Sequence, residues 1–166
     1  VADRLESFVT DIHAREHRTK VRLACTKAGE ILAFDLDDLT AIGPYSVYPR
    51  TSGIEGNQVV NLTGGPYKHQ QYRAKMHVVF TNKNVCCQYR AVGHPIAVAL
   101  TEGIVDLAAD RIGMDPAEFR RRNLVAPDDE MADGTPWGGI GLDECLARMA
   151  DHPLYRALAA NDYGSF

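Results

Sequence analysis

Apolar and polar positions alternate with a period of two through the first part of the chain and recur every three to four residues through the second. In Thr19–Thr26, apolar Val21, Leu23 and Cys25 alternate with Lys20 and Arg22. After Lys27-Ala28-Gly29, the run Glu30–Leu36 sets Ile31, Ala33 and Asp35 on one face and Leu32, Phe34 and Leu36 on the other. Two such runs joined by a short glycine-containing turn predict a β-hairpin. A third strand is predicted over Tyr72–Asn82, with Met76, Val78 and Phe80 on one face and His77 turned the other way. The intervening Ala41–Pro66 is rich in Gly, Pro, Ser, Asn and Thr. It reads as an irregular connection with one helical turn around Gly56–Leu62, and a connection of that length is more often functional or covered than idle.

Beyond His94 the period changes. Pro95 stands at a first helical position, and Ala97, Leu100, Ile104, Leu107 and Ala108 follow at helical spacings until Gly113 ends the pattern. Asp115, Pro116 and Glu118 then predict a capped helix to about Asn123. A loop over Ala126–Gly141 leads to a last helix, Glu144–Ala150, with Asp143 as its cap. Strands followed by helices predict an α+β fold: a twisted hairpin or sheet, then packed helices. The division is β-rich 1–90 and helical 94–160 within one domain spanning 1–166.

Charge and composition narrow the function classes. With 18 Lys and Arg against 22 Asp and Glu, the net charge is −4, which argues against a dedicated nucleic-acid partner. No apolar run approaches the ~20 residues that span a bilayer. The N-terminus Val1-Ala2-Asp3-Arg4 has neither an initiator Met nor a leader's apolar run, and reads like the interior of a longer polypeptide. Cys25, Cys86, Cys87 and Cys145 include no Cys-x-x-Cys pair, so nothing predicts a metal or an iron–sulfur cluster held by this chain, and a reduced, cytoplasmic setting is the simplest reading.

Three constellations carry candidate chemistry. His13-Ala14-Arg15-Glu16-His17 satisfies the zinc-peptidase spacing, but it lies just ahead of a strand pattern, and Arg15, Arg18 and Lys20 oppose a bound dication. A solvated charged stretch is the simpler reading. The glycine-rich pieces Thr63–Tyr67 and Gly134–Gly141 lack phosphate-loop spacing and read as turns, with Tyr67 as a packing residue. The third is Thr81–Pro95, in which a strand ends, Arg90 and Gly93 follow, and a Pro-started helix begins. A helix start, a guanidinium and a glycine allowing close backbone approach make a layout suited to an anion. Arg90 could equally be a salt-bridge partner, and His94 a plain helix cap.

Thr81-Asn82, followed by Gln88-Tyr89-Arg90-Ala91-Val92-Gly93-His94-Pro95, resembles the molybdenum-site loop of the molybdenum hydroxylases: xanthine dehydrogenase, aldehyde oxidase and aerobic carbon monoxide dehydrogenase. The likeness continues through Leu100–Asp106, Gly113–Leu124 and Leu142–Leu146, and upstream through Asp3–Phe8 and His13-Ala14-Arg15. It implies part of the first molybdopterin-binding domain of a large subunit. The parent enzyme would oxidise an aldehyde or N-heterocycle with water as oxygen source and pass electrons to iron–sulfur and FAD subunits or domains. Its cofactor would be molybdopterin with molybdenum, the cytosine dinucleotide form included.

By resemblance, Tyr89, Arg90, Ala91 and Gly93 contact the cofactor, and Val92 and Gln58 line the substrate pocket. Ala91 stands where carbon monoxide dehydrogenases carry the copper-binding Cys, which argues against a molybdenum–copper site. Val92 stands where purine-oxidising relatives carry a stacking aromatic residue. The family's general-base Glu, its Gly-Gly-Phe-Gly stretch and its second pterin domain have no counterpart here, so no catalytic residue is assigned. The isolated chain is expected to retain no cofactor and to show no turnover. The alternative is a non-catalytic binding or scaffold module that kept the fold.

Overall fold

The period-two runs form one three-stranded sheet in the computed structural model, which describes residues 1–49, 51–130 and 136–160. In chain order the elements are α1 (Arg4–Thr10), β1 (His17–Cys25), β2 (Ile31–Ala41), α2 (Ile54–Leu62), β3 (Gln71–Val79), α3 (His94–Ile112), α4 (Pro116–Asn123), α5 (Leu142–Asp151) and α6 (Pro153–Ala159). β2 is the central strand, antiparallel to β1 and parallel to β3. The fold is α+β, as predicted. None of its helices is long and apolar enough to cross a membrane.

The two faces of the sheet differ sharply. The inner face carries Val21 and Leu23 from β1, Phe34 and Leu36 from β2, and Ala74 and Met76 from β3. A bulge corrects the predicted facing of Ile31: Ala24 pairs with Ala33 but Cys25 with Ile31, so the extra residue on β2 changes parity. Ile31 therefore joins Phe34 inside, with Tyr67, Val105, Ala109 and Phe119 completing the core. On the outer face, Arg22 and Arg73 flank Asp35 at 2.5 and 2.8 Å and hold its carboxyl down to about 2. His77, paired with Leu39, lies on that face 3.7 Å from Asp37, as its strand parity predicted.

Helices cover the inner face. The connection, read as irregular with one helical turn around Gly56–Leu62, holds α2, which starts two residues earlier at Ile54 and crosses between β2 and β3. Its approach depends on Gly56, where a Cβ would fall 2.5 Å from Thr40 Oγ1 and 2.7 Å from Met76 Sδ. Local composition hid only the start of this helix, Ile54 and Glu55, because its glycine serves helix–sheet contact rather than a turn. α1 was likewise unpredicted and buries no residue; a reciprocal Asp3–Glu6 capping box closes its first turn. α1 and α2 thus place helix within the stretch expected to be β-rich.

α3 begins one residue before Pro95 and ends on Gly113 in the left-handed conformation. Asp115 caps α4 by accepting the Glu118 N–H at 2.9 Å, as its spacing predicted. Asp143 does not cap α5: that helix starts at Leu142 behind Gly141, and Asp143 faces Arg121 from the first turn. α6 follows with no signal read from its sequence. The glycine-rich piece Gly134–Gly141 lies partly outside the described residues. Tyr67 is buried, its hydroxyl donating to Glu102 at 3.0 Å.

Asn123 locks α4 to the hairpin. Its buried amide accepts the Ile31 N–H at 2.8 Å and donates to the carbonyls of Gly29 at 2.7 Å and Phe119 at 2.8 Å. Asn123→Ala would orphan these buried groups and should lower the unfolding free energy by about 3 kcal/mol, measured by urea titration.

Candidate functional site

After β3 the chain is pinned before it reaches the loop of interest. The Cys86 N–H donates to the Ile42 carbonyl at 3.0 Å, and the Cys87 N–H to that of His13 at 2.9 Å. Both cysteines are buried, and all four in the chain are free. The backbone then emerges: Tyr89, Arg90 and Ala91 are exposed, Val92 is half-buried and Gly93 is buried ahead of α3.

Within this loop Ala91 and Val92 both have positive φ, 67° and 49°. A β-branched residue in that region is strained, and such a conformation persists only when its surroundings fix it. Here the Val92 N–H donates to the Tyr89 carbonyl at 2.7 Å and the His94 N–H to that of Ala91 at 2.9 Å. His94 Nδ1 also meets the Ala91 carbonyl at 2.8 Å, so this side chain braces the loop instead of capping α3, where Gly93 is the N-cap.

Gly93 fixes the depth of the loop. A Cβ there would stand 2.5 Å from the Glu55 carbonyl oxygen and 2.9 Å from the Val59 nitrogen, so only glycine lets the loop press against α2. Gln58 completes the contact by accepting the Gly93 N–H at 3.0 Å. The residue expected at a pocket thus also holds the loop from below.

What remains unengaged belongs to exposed residues. Among the described residues no carboxylate pairs with the Arg90 guanidinium, and the Arg90 and Ala91 N–H groups have no acceptor. Consecutive N–H groups in a left-handed turn beside a guanidinium form a concavity suited to anionic oxygens. The salt-bridge alternative for Arg90 thus finds no carboxylate among the described residues.

A second constellation lies beneath the loop, and sequence reasoning missed it. His17, whose side chain is 4% exposed, stands between Asp38 and Glu55: Nδ1 is 3.0 Å from Asp38 Oδ1, and Nε2 is 3.1 Å from Glu55 Oε1. Thr40 donates its hydroxyl to Asp38 at 2.5 Å. Burial alone would push the imidazole pKa down; the two carboxylates outweigh it and raise the value from 6.5 to about 9. The zinc reading fails on this geometry, because His17 opens β1 and His13 sits in a separate bridge to Cys86, so the two share no helical face. The solvated reading fails at His17, while His13 in the same stretch is exposed and Glu16 is part-exposed beside Lys83. The cluster's signal lay in β2, where Asp38 shares parity with Phe34 and Leu36 on the apolar face.

Arg15 connects this cluster to the loop. Its N–H donates to Glu55 Oε1 at 2.7 Å, its guanidinium donates to the Arg90 carbonyl, and the same group lies 5.4 Å from the centroid of the Tyr89 ring. Its own φ is 66°, another left-handed position.

Comparison with known proteins places this geometry among relatives. Residues 1–124 match the family described as the molybdopterin cofactor-binding domain. The gamma subunit of the 6-hydroxypseudooxynicotine dehydrogenase complex of Paenarthrobacter nicotinovorans is 36% identical over 141 residues, 85% of this chain and 17% of that protein. Aldehyde oxidoreductase of Megalodesulfovibrio gigas is 32% identical over 137 residues, 82% of this chain and 15% of its own length. The crystal structure of quinoline 2-oxidoreductase from Pseudomonas putida 86 superimposes with a TM-score of 0.86 at 28% identity, covering 97% of this chain and 21% of that one. The chain therefore spans about a sixth of the length of these two curated relatives.

Two outcomes follow from the packing beneath the loop. The stabilisation from protonated His17 should be complete below about pH 6.5 and lost as pH rises through about 9; His17→Gln should flatten that part of a stability-against-pH curve from denaturant titrations. Gly93→Ala must move the loop off α2 and should cost about 2 kcal/mol in chemical unfolding, whereas Gly103→Ala, in open space on α3, should cost nothing.

Proposed function

The chain belongs to the molybdopterin cofactor-binding domain family, and on that premise we propose that residues 89–93 form one wall of a molybdenum–pterin site within a larger oxidoreductase. The observation that carries this reading is the loop itself: a guanidinium and two N–H groups that meet no partner among the described residues, on a left-handed turn pressed against α2. That donor set suits the anionic oxygens of such a group. When bound, the group supplies oxidation of an electron-poor carbon with water as the oxygen source.

The chain's own part is to hold and orient. Arg90 neutralises negative charge through its guanidinium, and the N–H groups of Arg90 and Ala91 direct the oxygens they meet. Tyr89 borders the loop on its exposed side, and Gly93 sets its depth. Val92 and Gln58 are the pocket-side residues of this reading, and Val92 offers an aliphatic surface in place of a stacking ring. The substrate class is an aldehyde or N-heterocycle, in keeping with relatives named for quinoline and aldehyde oxidation. The partners are the remainder of a large subunit and iron–sulfur and FAD subunits or domains. Four free cysteines accord with a reduced, cytoplasmic setting.

One wall does not close a site, so residues 1–166 alone should bind no stoichiometric molybdenum and reduce no dye. Elemental analysis showing stoichiometric molybdenum, together with dye reduction by this chain alone, would overturn that. In the full-length protein, Arg90→Ala should lower molybdenum per polypeptide by about tenfold with an unchanged circular dichroism spectrum. Unchanged molybdenum content would refute the role given to Arg90.

A further inference from the structure

The buried cluster beneath the loop contains two anions, Asp38 and Glu55, and one cation, His17. Arg15 brings a second cation to it, and its backbone N–H shares Glu55 Oε1 with His17. The guanidinium is not spent on those carboxylates. It reaches the Arg90 carbonyl, immediately before the two left-handed residues, and lies beside the Tyr89 ring. Glu55 also acts through its backbone, since its carbonyl oxygen is the atom Gly93 packs against. Both residues keep one buried polar atom without a partner, Arg15 Nε and Glu55 Oε2, so each is held by geometry at a cost in unmet hydrogen bonding.

We propose that Arg15 is a positioning residue for the anion-facing loop: anchored by Glu55, it grips the Arg90 carbonyl and thereby holds Ala91 and Val92 in the left-handed conformation in which the Arg90 and Ala91 N–H groups meet no acceptor among the described residues. The significance of this for a bound group rests on the function proposed above; the grip on the loop does not. Arg15 touches no reacting atom in this scheme. It acts through Tyr89 and Arg90, and its side chain fixes the Arg90 carbonyl, which no backbone N–H among the described residues engages. An arginine suits the task because its planar fork can donate to a carbonyl while its face lies over an aromatic ring.

Hydrogen–deuterium exchange followed by mass spectrometry on the full-length protein tests this without using activity. Arg15→Gln removes the cation and the fork. It should speed exchange at the Val92, Gly93 and His94 amides by about tenfold, while peptides from the β1–β2 hairpin exchange as before. Arg15→Lys, which keeps a cation and a donor, should recover part of that protection. Loop exchange that does not change in Arg15→Gln would overturn the proposal, as would a rise shared equally by the hairpin or a lysine variant no better than glutamine. Molybdenum content measured on the same samples separates the two readings. Accelerated loop exchange with undiminished molybdenum would leave the Arg15 grip standing and count against the loop as a cofactor wall.

Discussion

Two carboxylates, one carried inward by β2 and one by α2, can share the interior of this protein only because an imidazolium stands between them. Removing His17 would leave two buried carboxylates without their cation, which is far more costly than the net worth of the intact group. The arrangement joins three elements at one point: β1 through His17, β2 through Asp38 and α2 through Glu55. The distance from sheet to helix is set there and at Gly56, where the helix backbone meets Thr40 and Met76 without an intervening side chain. Everything that α2 supports inherits its position from that junction.

What α2 supports is the loop before α3. Gln58, the Glu55 carbonyl and the Val59 nitrogen form a floor on which only glycine can sit, and Gly93 is the residue that sits there. The strain of two non-glycine left-handed residues then lies on the exposed side of the loop, where the Arg90 and Ala91 N–H groups meet no acceptor among the described residues. A rigid floor beneath a strained, exposed turn is the general form of a preorganised binding surface, since the ordering cost is met in folding and not on contact with a ligand.

The strands, α3 and the Asp115 cap were legible because each rests on a local rule: alternation, helical spacing, or a side chain capping its own helix. The loop was legible at Arg90 and Gly93 through its motif, though nothing local predicted that Gly93 answers to a carbonyl on another helix. The buried cluster stayed hidden for a different reason. His17 resembled half of a metal motif, Asp38 looked like one acid in an acidic strand, and Glu55 lay just ahead of the helical turn read at Gly56–Leu62. Their meaning comes from juxtaposition across residues distant in sequence, with parity on β2 as the one hint in the chain itself. α1 and α6 escaped because short helices with little buried surface leave a weak periodic signal.

The parallel pairing of β2 with β3 has a kinetic side. β1 and β2 are joined by the turn at residues 26–30 and can zip from that end, bringing His17 and Asp38 together as neighbours across one ladder. β3 cannot join until residues 42–70, α2 among them, have been folded back across the sheet, and closing that longer loop carries the larger entropy cost. Asp38 thus meets its cation early and Glu55 arrives afterwards with α2. The floor under residues 89–93 does not exist until that second arrival, so the anion-facing turn takes shape late in folding, on a sheet where Asp38 already has its cation.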